Sequence, residues 1–334
     1  MYAAITPTRA MTVPATSSAF FLRDPMPIFS VGLVLLLGAR RALRLPWQAL
    51  YHPGRSAAVD TSEIMAVALE LAGQTEVPPD SGIDVPASHV RKALFGIDAD
   101  GSDLLIAKQL GYDLLINHHP TGGESQVRFP LVLSKHADLL ERAGVPRKAA
   151  SAAVQALLDE HESAAHARNY DRLPSEARLL RMPLMAIHNP CDEIGRRVMD
   201  ETLRRGVSKS SNVRGAIKVL NRLPEFRKAL TKIVVRMGDE ANPLGKWMVV
   251  HGAGTNGGYA VAKAAFDHGI DTVFYIHIDG GHLRRLREEY GREGPKSLVV
   301  TGHIASDSIG INVLVRELRK RGVAVDTFGG VLDV

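Results

Sequence analysis

The sequence predicts an α/β protein with a mainly parallel sheet. After residue 60, short apolar segments typical of buried strands alternate with longer helical segments. Histidines also follow several of these apolar segments, at the place where parallel strands end. With 334 residues, 45% of them hydrophobic and 23% charged, the chain is long enough for one large domain or two moderate ones. This composition excludes disordered, collagenous and coiled-coil proteins.

Residues 1–60 differ from the rest of the chain in composition. They hold six arginines, two aspartates and no lysine or glutamate, so most of the net charge of +5 lies here and not on a folded face. The charge therefore does not predict nucleic-acid binding. The apolar run from Ile28 to Leu37 is too short for a membrane span, which needs about 20 residues. A secretory signal is the alternative. We expect a disordered extension, or a misassigned start codon with the true start nearer Met65.

The first part of the regular region, residues 61–192, begins with a helix. Thr61, Ser62 and Glu63 provide capping groups ahead of apolar residues at helical spacing. A long helical insertion at about 130–180 precedes the last strand of this part. The predicted strands lie at 93–98, 112–117 and 184–188, and the predicted helices at 102–110, 131–143 and, after Pro146, 147–165.

Residues 193–334 repeat the alternation of strands and helices. The basic segment 213–236 is the least regular, and we expect it to be helical. The predicted strands lie at 247–251, 272–278 and 297–301, and the predicted helices at 193–205, 258–268, 282–290 and 308–321.

Histidines recur at the carboxyl ends of the predicted strands. One histidine in such a place is more often structural than a ligand. Histidines at five strands favour a metal or acid–base site, because open parallel sheets bind ligands at this edge. Six of the thirteen histidines lie there: His118, His119, His188, His251, His277 and His303.

Two of these clusters have the chemistry of metal ligands. His118 and His119 are followed by Pro120, which turns the chain so that both rings can face one crevice. His303 and Asp307 are four residues apart and share a face on the first turn of a helix. Imidazole and carboxylate suit Zn, Mn, Fe, Co or Ni without distinguishing among them.

Asp192 follows the 184–188 strand and completes a set of three histidines and two aspartates. Structural roles are the alternatives: Asp192 as the N-cap of the helix from Glu193, Asp307 as a helix cap, and the two adjacent histidines as a hydrogen-bonded loop. Five donors exceed what one structural zinc needs, so we expect two divalent metal ions that share a carboxylate or hydroxide.

The glycine-rich turn at 252–258 is a second candidate site. It follows a strand and precedes a helix, so its amides would meet an anion at a helix N-terminus. Gly254, Asn256 and Gly257 are therefore candidates for substrate or phosphate binding. The alternative is a tight strand–helix turn, because the segment matches neither the dinucleotide-binding fingerprint nor the phosphate-binding loop with its lysine.

The segment from Asp113 to Pro120, together with Gly302, His303 and Asp307, resembles the two hallmark motifs of the Nif-three-like dinuclear metal-binding family. Members of this family are often described as GTP cyclohydrolase type 2 homologues. The resemblance covers about residues 61–330. It implies the metal ligands His118, His119, Asp192, His303 and Asp307.

The resemblance also implies an architecture. Family members have two related α/β halves, here 61–192 and 193–334, with the dinuclear site in the cleft between them, and they commonly form ring-like hexamers. Asp307 stands where glutamate is commoner in the family. The long helical insertion resembles a subgroup feature.

The function expected from this site is that of a metal-dependent hydrolase acting on a nucleotide or other small molecule, with GTP cyclohydrolase type 2-like chemistry implied by the resemblance. His188, His277 and His282 are candidates for proton transfer. The alternative is a non-enzymatic metal-binding or regulatory protein that acts through a protein partner. The single cysteine, Cys191, excludes an internal disulfide framework and favours the cytoplasm. We expect a homo-oligomer, without nucleic-acid partners.

Overall fold

Two β-sheets with the same internal strand order organise the structure. The computed structural model describes residues 59–334. Residues 1–58, which make up nearly all of the predicted extension, lie outside the described residues. The strands are β1 (Gly82–Val85), β2 (Lys92–Gly96), β3 (Leu114–Asn117), β4 (Leu184–Ala186), β5 (Val234–Met237), β6 (Trp247–Val250), β7 (Thr272–Tyr275), β8 (Ser297–Val300) and β9 (Ala324–Phe328).

The two sheets repeat one topology. The first sheet has the order β1-β4-β3-β2-β9 and the second the order β5-β8-β7-β6. In each, the strand that comes first along the chain pairs antiparallel at one edge, and the next three strands are parallel to one another. The predicted α/β class with mainly parallel strands is therefore confirmed.

β9 departs from this repeat because it returns to the first sheet. It pairs in parallel with β2, with Lys92 opposite Ala324 and Gly96 opposite Phe328. It comes directly after the last helix of the region that contains the second sheet. The division of the chain into halves at residues 192 and 193 stays a prediction.

Twelve helices lie between or beside the strands of the described region. Four of them begin at a side-chain cap: in α1, for example, Asp60 accepts a hydrogen bond from Glu63 N at 2.8 Å while Glu63 Oε2 accepts one from Asp60 N at 2.9 Å. The helices are α1 (Thr61–Ala72), α2 (Gly101–Gln109), α3 (Gly123–Val132), α4 (Lys135–Arg142), α5 (Arg147–His166), α6 (Arg172–Leu180), α7 (Asn189–Gly206), α8 (Val213–Leu220), α9 (Pro224–Lys228), α10 (Gly258–Asp267), α11 (Gly280–Tyr290) and α12 (His303–Lys320).

Several element boundaries differ from the sequence prediction. The expected helix at 131–143 is interrupted, and α3 and α4 lie on either side of residues 133 and 134. The segment 213–236, expected to be helical, contains α8, α9 and the beginning of β5. α12 begins at His303 and not at residue 308. β1, β5 and β9 were not predicted, because they are short edge strands with partly exposed residues and no continuous apolar run.

α7 and α12 approach each other closely because glycines lie at their contact. A Cβ atom placed on Gly310 of α12 would lie 1.8 Å from the carbonyl oxygen of Cys191 in α7. One placed on Gly195 of α7 would lie 3.2 Å from the carbonyl oxygen of Ser306. The contact brings the first turns of both helices together. None of the helices in residues 59–334 has the length and apolar character that a membrane crossing requires.

Candidate metal centre

Histidine and aspartate side chains from both sheets converge at the carboxyl ends of the strands. His118 and His119 follow β3, and His251 follows β6. His188 precedes α7, which carries Asp192 in its first turn. α12 begins with His303 and carries Asp307 one turn later. All five metal ligands implied by the resemblance therefore lie in one region of the molecule.

One group of donors surrounds His118. Its Nε2 atom lies 3.2 Å from Asp192 Oδ1 and 3.8 Å from Asp307 Oδ2. The Nε2 atom of His251 approaches the same two side chains, at 3.5 Å from Asp192 Oδ1 and 3.9 Å from Asp307 Oδ1. His188 Nε2 lies 3.4 Å from the other Asp192 oxygen, Oδ2. This group holds three imidazoles and two carboxylates.

A second group is centred on Asp307. Its Oδ2 atom lies 3.1 Å from His303 Nε2 and 3.6 Å from His119 Nε2. The distances among these ligand atoms place His119, His303 and Asp307 in one possible metal-binding cluster and His118, Asp192 and Asp307 in another. A third possible cluster combines His118, His119 and His188, so Asp307 belongs to two of the three.

The buried polar atoms at the centre of the site test whether a metal fits. Within the described region, His118 Nε2, His251 Nε2, Asp192 Oδ1 and both carboxylate oxygens of Asp307 are buried and make no hydrogen bond. Unpaired buried polar atoms are costly, and a cluster of them calls for an explanation. Ligand atoms about 2.1 Å from a shared ion lie roughly 3–4 Å apart, which matches the distances found here. The donor set fits divalent metal ions.

The opposite ring nitrogens of three histidines are held by hydrogen bonds. His118 Nδ1 lies 3.1 Å from the carbonyl oxygen of Ile187. His119 Nδ1 lies 2.7 Å from Asp98 Oδ1, and His188 Nδ1 lies 2.8 Å from Asp80 Oδ2. Because an oxygen acceptor fixes a proton on Nδ1, the Nε2 atom of each neutral ring directs its lone pair toward the centre. Metal-binding histidines are oriented in this way by carboxylates and carbonyl groups.

The same contacts shift the pKa values of the metal-free site. Burial lowers the pKa of His119, but the neighbouring carboxylates of Asp307 and Asp98 outweigh this and raise it to about 10. Burial alone would raise the pKa of Asp307, yet His119 and His303 hold it well below the usual range. Burial lowers the pKa of His118. Both the neutral His118 and the ionised Asp307 have the protonation state that a metal ligand needs.

His188 and His251 join the donor groups, although the family resemblance implied neither as a ligand and the sequence predicted proton transfer for His188. Their place at strand ends was the available signal. His277 lies beside the donors, with its ring 4.8 Å from that of His303 and its Nδ1 atom 2.9 Å from Asn256 Nδ2. His282 packs over Gly258 and does not line the cavity at the site.

Two backbone amides of the glycine-rich turn are paired within the turn itself. Gly257 N donates to Thr255 Oγ1 at 3.1 Å, and Gly258 N donates to Asn256 Oδ1 at 2.8 Å. Gly257 has a φ angle of 77°, in the left-handed region that favours glycine. Gly254 lies against Val132 of α3 and lines the cavity. The turn therefore forms one wall of the site, with the amides of Gly257 and Gly258 already paired.

A cavity of about 210 Å³ opens over the donor groups. Its walls combine most of the metal-ligand candidates with three apolar side chains, Pro120, Phe129 and Ile276. The Phe129 ring stacks on His188, with the ring centres 5.8 Å apart. The cavity is thus lined by residues of both sheets' carboxyl edges and of the helical insertion.

No protein-family model matches the sequence, and a search among curated proteins gives no relative. Among solved structures, the chain is similar to a NIF3 superfamily protein from Sphaerobacter thermophilus, with 47% identity and a TM-score of 0.79 over 82% of this chain and 99% of that one. Reduced HcgD from Methanocaldococcus jannaschii has the same fold at 12% identity, with a TM-score of 0.51 over 81% of this chain and 98% of that one. The resemblance noted from the hallmark motifs is confirmed: this chain belongs to the NIF3 superfamily.

Proposed function

We propose that the protein binds two divalent metal ions and uses them to hydrolyse a small molecule. The observation that carries this proposal is the set of buried, unpaired nitrogen and oxygen atoms at the junction of α7, α12 and the strand ends. A structural role for these groups would leave each of them satisfied by a hydrogen bond. Divalent ions at this place would satisfy them all.

The two ions would divide the donors between them. His118, Asp192 and Asp307 would hold one ion, with His188 and His251 near enough to complete its shell. His119, His303 and Asp307 would hold the other. Divalent ions in such a pair lower the pKa of coordinated water and polarise the substrate.

The chain's own residues would orient the donors and contact the substrate. Asp98 and Asp80 hold His119 and His188 in place through their Nδ1 atoms. Asn256 fixes the tautomer of His277: since its Oδ1 accepts from Gly258 N, its amide nitrogen faces His277 Nδ1 and donates to it. The proton of the neutral His277 ring is therefore on Nε2, where it is available as a hydrogen-bond donor to a substrate in the cavity.

The first experiment measures metal content by elemental analysis of protein purified without a histidine tag. We expect about two metal ions per wild-type chain, as the clusters around Asp307 imply. The double variant His118→Ala/His303→Ala removes one donor from each cluster and should lose both ions while its circular dichroism stays native. A wild type that takes up no metal after reconstitution would contradict the proposal.

The second experiment separates catalysis from metal binding. Metal-loaded protein is screened against nucleotides, with GTP first because of the cyclohydrolase resemblance, and against small esters and amides. His277→Asn should keep the metal content and lose most of any turnover, since His277 lines the cavity without joining either cluster. Full metal content without turnover on any substrate would favour the non-enzymatic, partner-binding alternative.

Assembly and location complete the proposal. We propose a homo-oligomer, with a hexamer as the form that the family resemblance implies, and a cytoplasmic location that fits the single cysteine. Light scattering of the purified chain measures the mass of the assembly directly. A monomer would contradict the first of these proposals, and export of the protein would contradict the second.

A further inference from the structure

The helical insertion closes one side of the cavity over the donor groups. Phe129 of α3 stacks on His188, and Val132 of α3 lies against Gly254 of the glycine-rich turn. Two residues beyond the end of α5, Arg168 also lines this cavity. The insertion therefore supplies an apolar side chain and a cation to the same space.

Arg168 is the only lysine or arginine among the residues that line this cavity. Its side chain is exposed, and within residues 59–334 its guanidinium group has no hydrogen bond or ion pair. Nearby arginines of the same insertion are paired: Arg172 with Glu176 at 3.6 Å, and Arg178 with Asp171 at 2.5 Å. Arg168 thus keeps its five donors free at the cavity.

The charges around the cavity favour the binding of an anion. Asp192 and Asp307 are the only carboxylates that line it. Two carboxylates offset half the charge of two divalent ions, and neutral imidazoles carry no charge. With Arg168, which stays protonated at every relevant pH, the lining of the loaded site has an excess of positive charge that favours an anionic ligand.

The size of the cavity limits that substrate. Pockets for drug-sized ligands measure roughly 300–1,000 Å³, whereas this one measures about 210 Å³. A compact group fits inside, and any larger part of the molecule would remain outside. A phosphoryl or carboxylate group is the ligand that suits a guanidinium fork, because both offer two oxygens in one plane.

We propose that Arg168 binds an oxyanion group of the substrate and so makes this site selective for compact anions. This inference rests on the proposed function, because it takes the metal ions as the neighbouring charge. It gives the helical insertion a role in substrate selection, in addition to covering the site.

Calorimetric titration of metal-loaded protein with inorganic phosphate tests the proposal. Arg168→Gln should weaken phosphate binding by tenfold or more, as expected for the loss of hydrogen bonds to a charged group. Arg168→Lys should give an intermediate affinity, since it keeps the charge without the fork. Arg316→Gln, which removes an exposed arginine of α12 outside this cavity, is the charge-matched control and should bind as the wild type does.

Acetate titrated in the same way distinguishes recognition of a carboxylate from recognition of a phosphoryl group. The proposal is supported if the affinity for phosphate or the affinity for acetate depends on Arg168. Equal affinity of the wild type and Arg168→Gln at equal metal content would overturn it, as would loaded protein that binds neither anion. Metal content is measured in the same samples. If the wild type contains no metal but its phosphate binding still depends on Arg168, the proposed metal-dependent function is contradicted and the role of Arg168 is retained. If phosphate binding does not depend on Arg168 either, both proposals are contradicted.

Discussion

Gly310 is the residue on which the geometry of the centre depends most directly. It lies in α12, three residues after Asp307, where the backbone of α7 leaves no room for a side chain. The contact sets the spacing between Asp192 and Asp307, because each of these carboxylates lies in the first two turns of its own helix. A glycine is required here by close approach and not by an unusual φ angle.

Gly310→Ala should therefore separate α7 from α12 and reduce metal binding. Its added methyl group would lie 1.8 Å from the Cys191 carbonyl oxygen, so the backbone must shift. Overpacking of this kind costs about 1–3 kcal/mol of unfolding free energy. Urea unfolding measures this loss, and metal titration measures the lost affinity.

Gly215→Ala in α8 is the matched control for this change. The nearest atom to its new methyl group would be Asn212 Oδ1 at 3.4 Å, an ordinary contact. This variant should be as stable as the wild type, or more stable by up to about 1 kcal/mol because alanine favours the helix. Unchanged metal affinity in Gly310→Ala would show that the glycine contact does not set the spacing.

Among the helices, α4 holds the glycine-rich turn through a buried histidine. His136 is fully buried, and its Nε2 atom lies 3.0 Å from Thr255 Oγ1. Burial, together with the smaller effect of the neighbouring His161, lowers the pKa of His136 to about 3. The folded protein therefore keeps this ring neutral.

This shift predicts a loss of stability in acid. Because the folded pKa of about 3 lies below the unfolded value of 6.5, the unfolded chain binds more protons between these values, and stability falls as the pH drops through this window. From pH 7 to pH 5, the metal-free wild type should lose about 2 kcal/mol more unfolding free energy than His136→Gln. Urea titrations of both proteins across this range provide the measurement. Parallel pH profiles would contradict the assignment of this loss to His136.

Elements with a continuous apolar signal could be predicted from the sequence. β3 and β7 fall within their predicted ranges, as do the parallel strands that carry histidines at their ends. The edge strands could not be predicted, since β1 and β5 are partly exposed and β9 is recognisable as a strand only through its pairing with the distant β2. At the site, the strand-end position identified the histidines that the structure brings together, and their role as ligands stays a prediction. The approach of His251 to Asp192 depends on how the sheets and α7 pack, which local sequence does not encode.

At the scale of the whole molecule, the two sheets are joined in more than one way. α7 packs on α12 through the glycine contacts, and β9 carries the chain from α12 back to the first sheet. The donors of each proposed ion also come from both parts: His119 follows β3 of the first sheet, whereas His303 follows β8 of the second. Neither sheet region would keep the centre without the other.

Residues 59–334 should accordingly unfold in a single cooperative transition. Circular dichroism and intrinsic fluorescence should report the same urea midpoint for the metal-free protein. Metal should raise that midpoint in the wild type. The free energy of unfolding should rise by about 2.7 kcal/mol per site when the free ion is at a hundred times its dissociation constant. The His118→Ala/His303→Ala variant should gain no such stability. Two separate transitions would show that the sheets unfold independently.

The chemistry of the donor side chains determines how the site responds to oxidants. Every candidate ligand in the described region is an imidazole or a carboxylate, and neither is converted by peroxide as a thiolate is. Cys191, the one cysteine of the chain, is buried beside the centre, and burial together with Asp192 and Asp307 raises the pKa of its thiol. The thiol therefore stays protonated and unreactive. Oxidants that empty cysteine-ligated zinc sites would leave these candidate ligands intact.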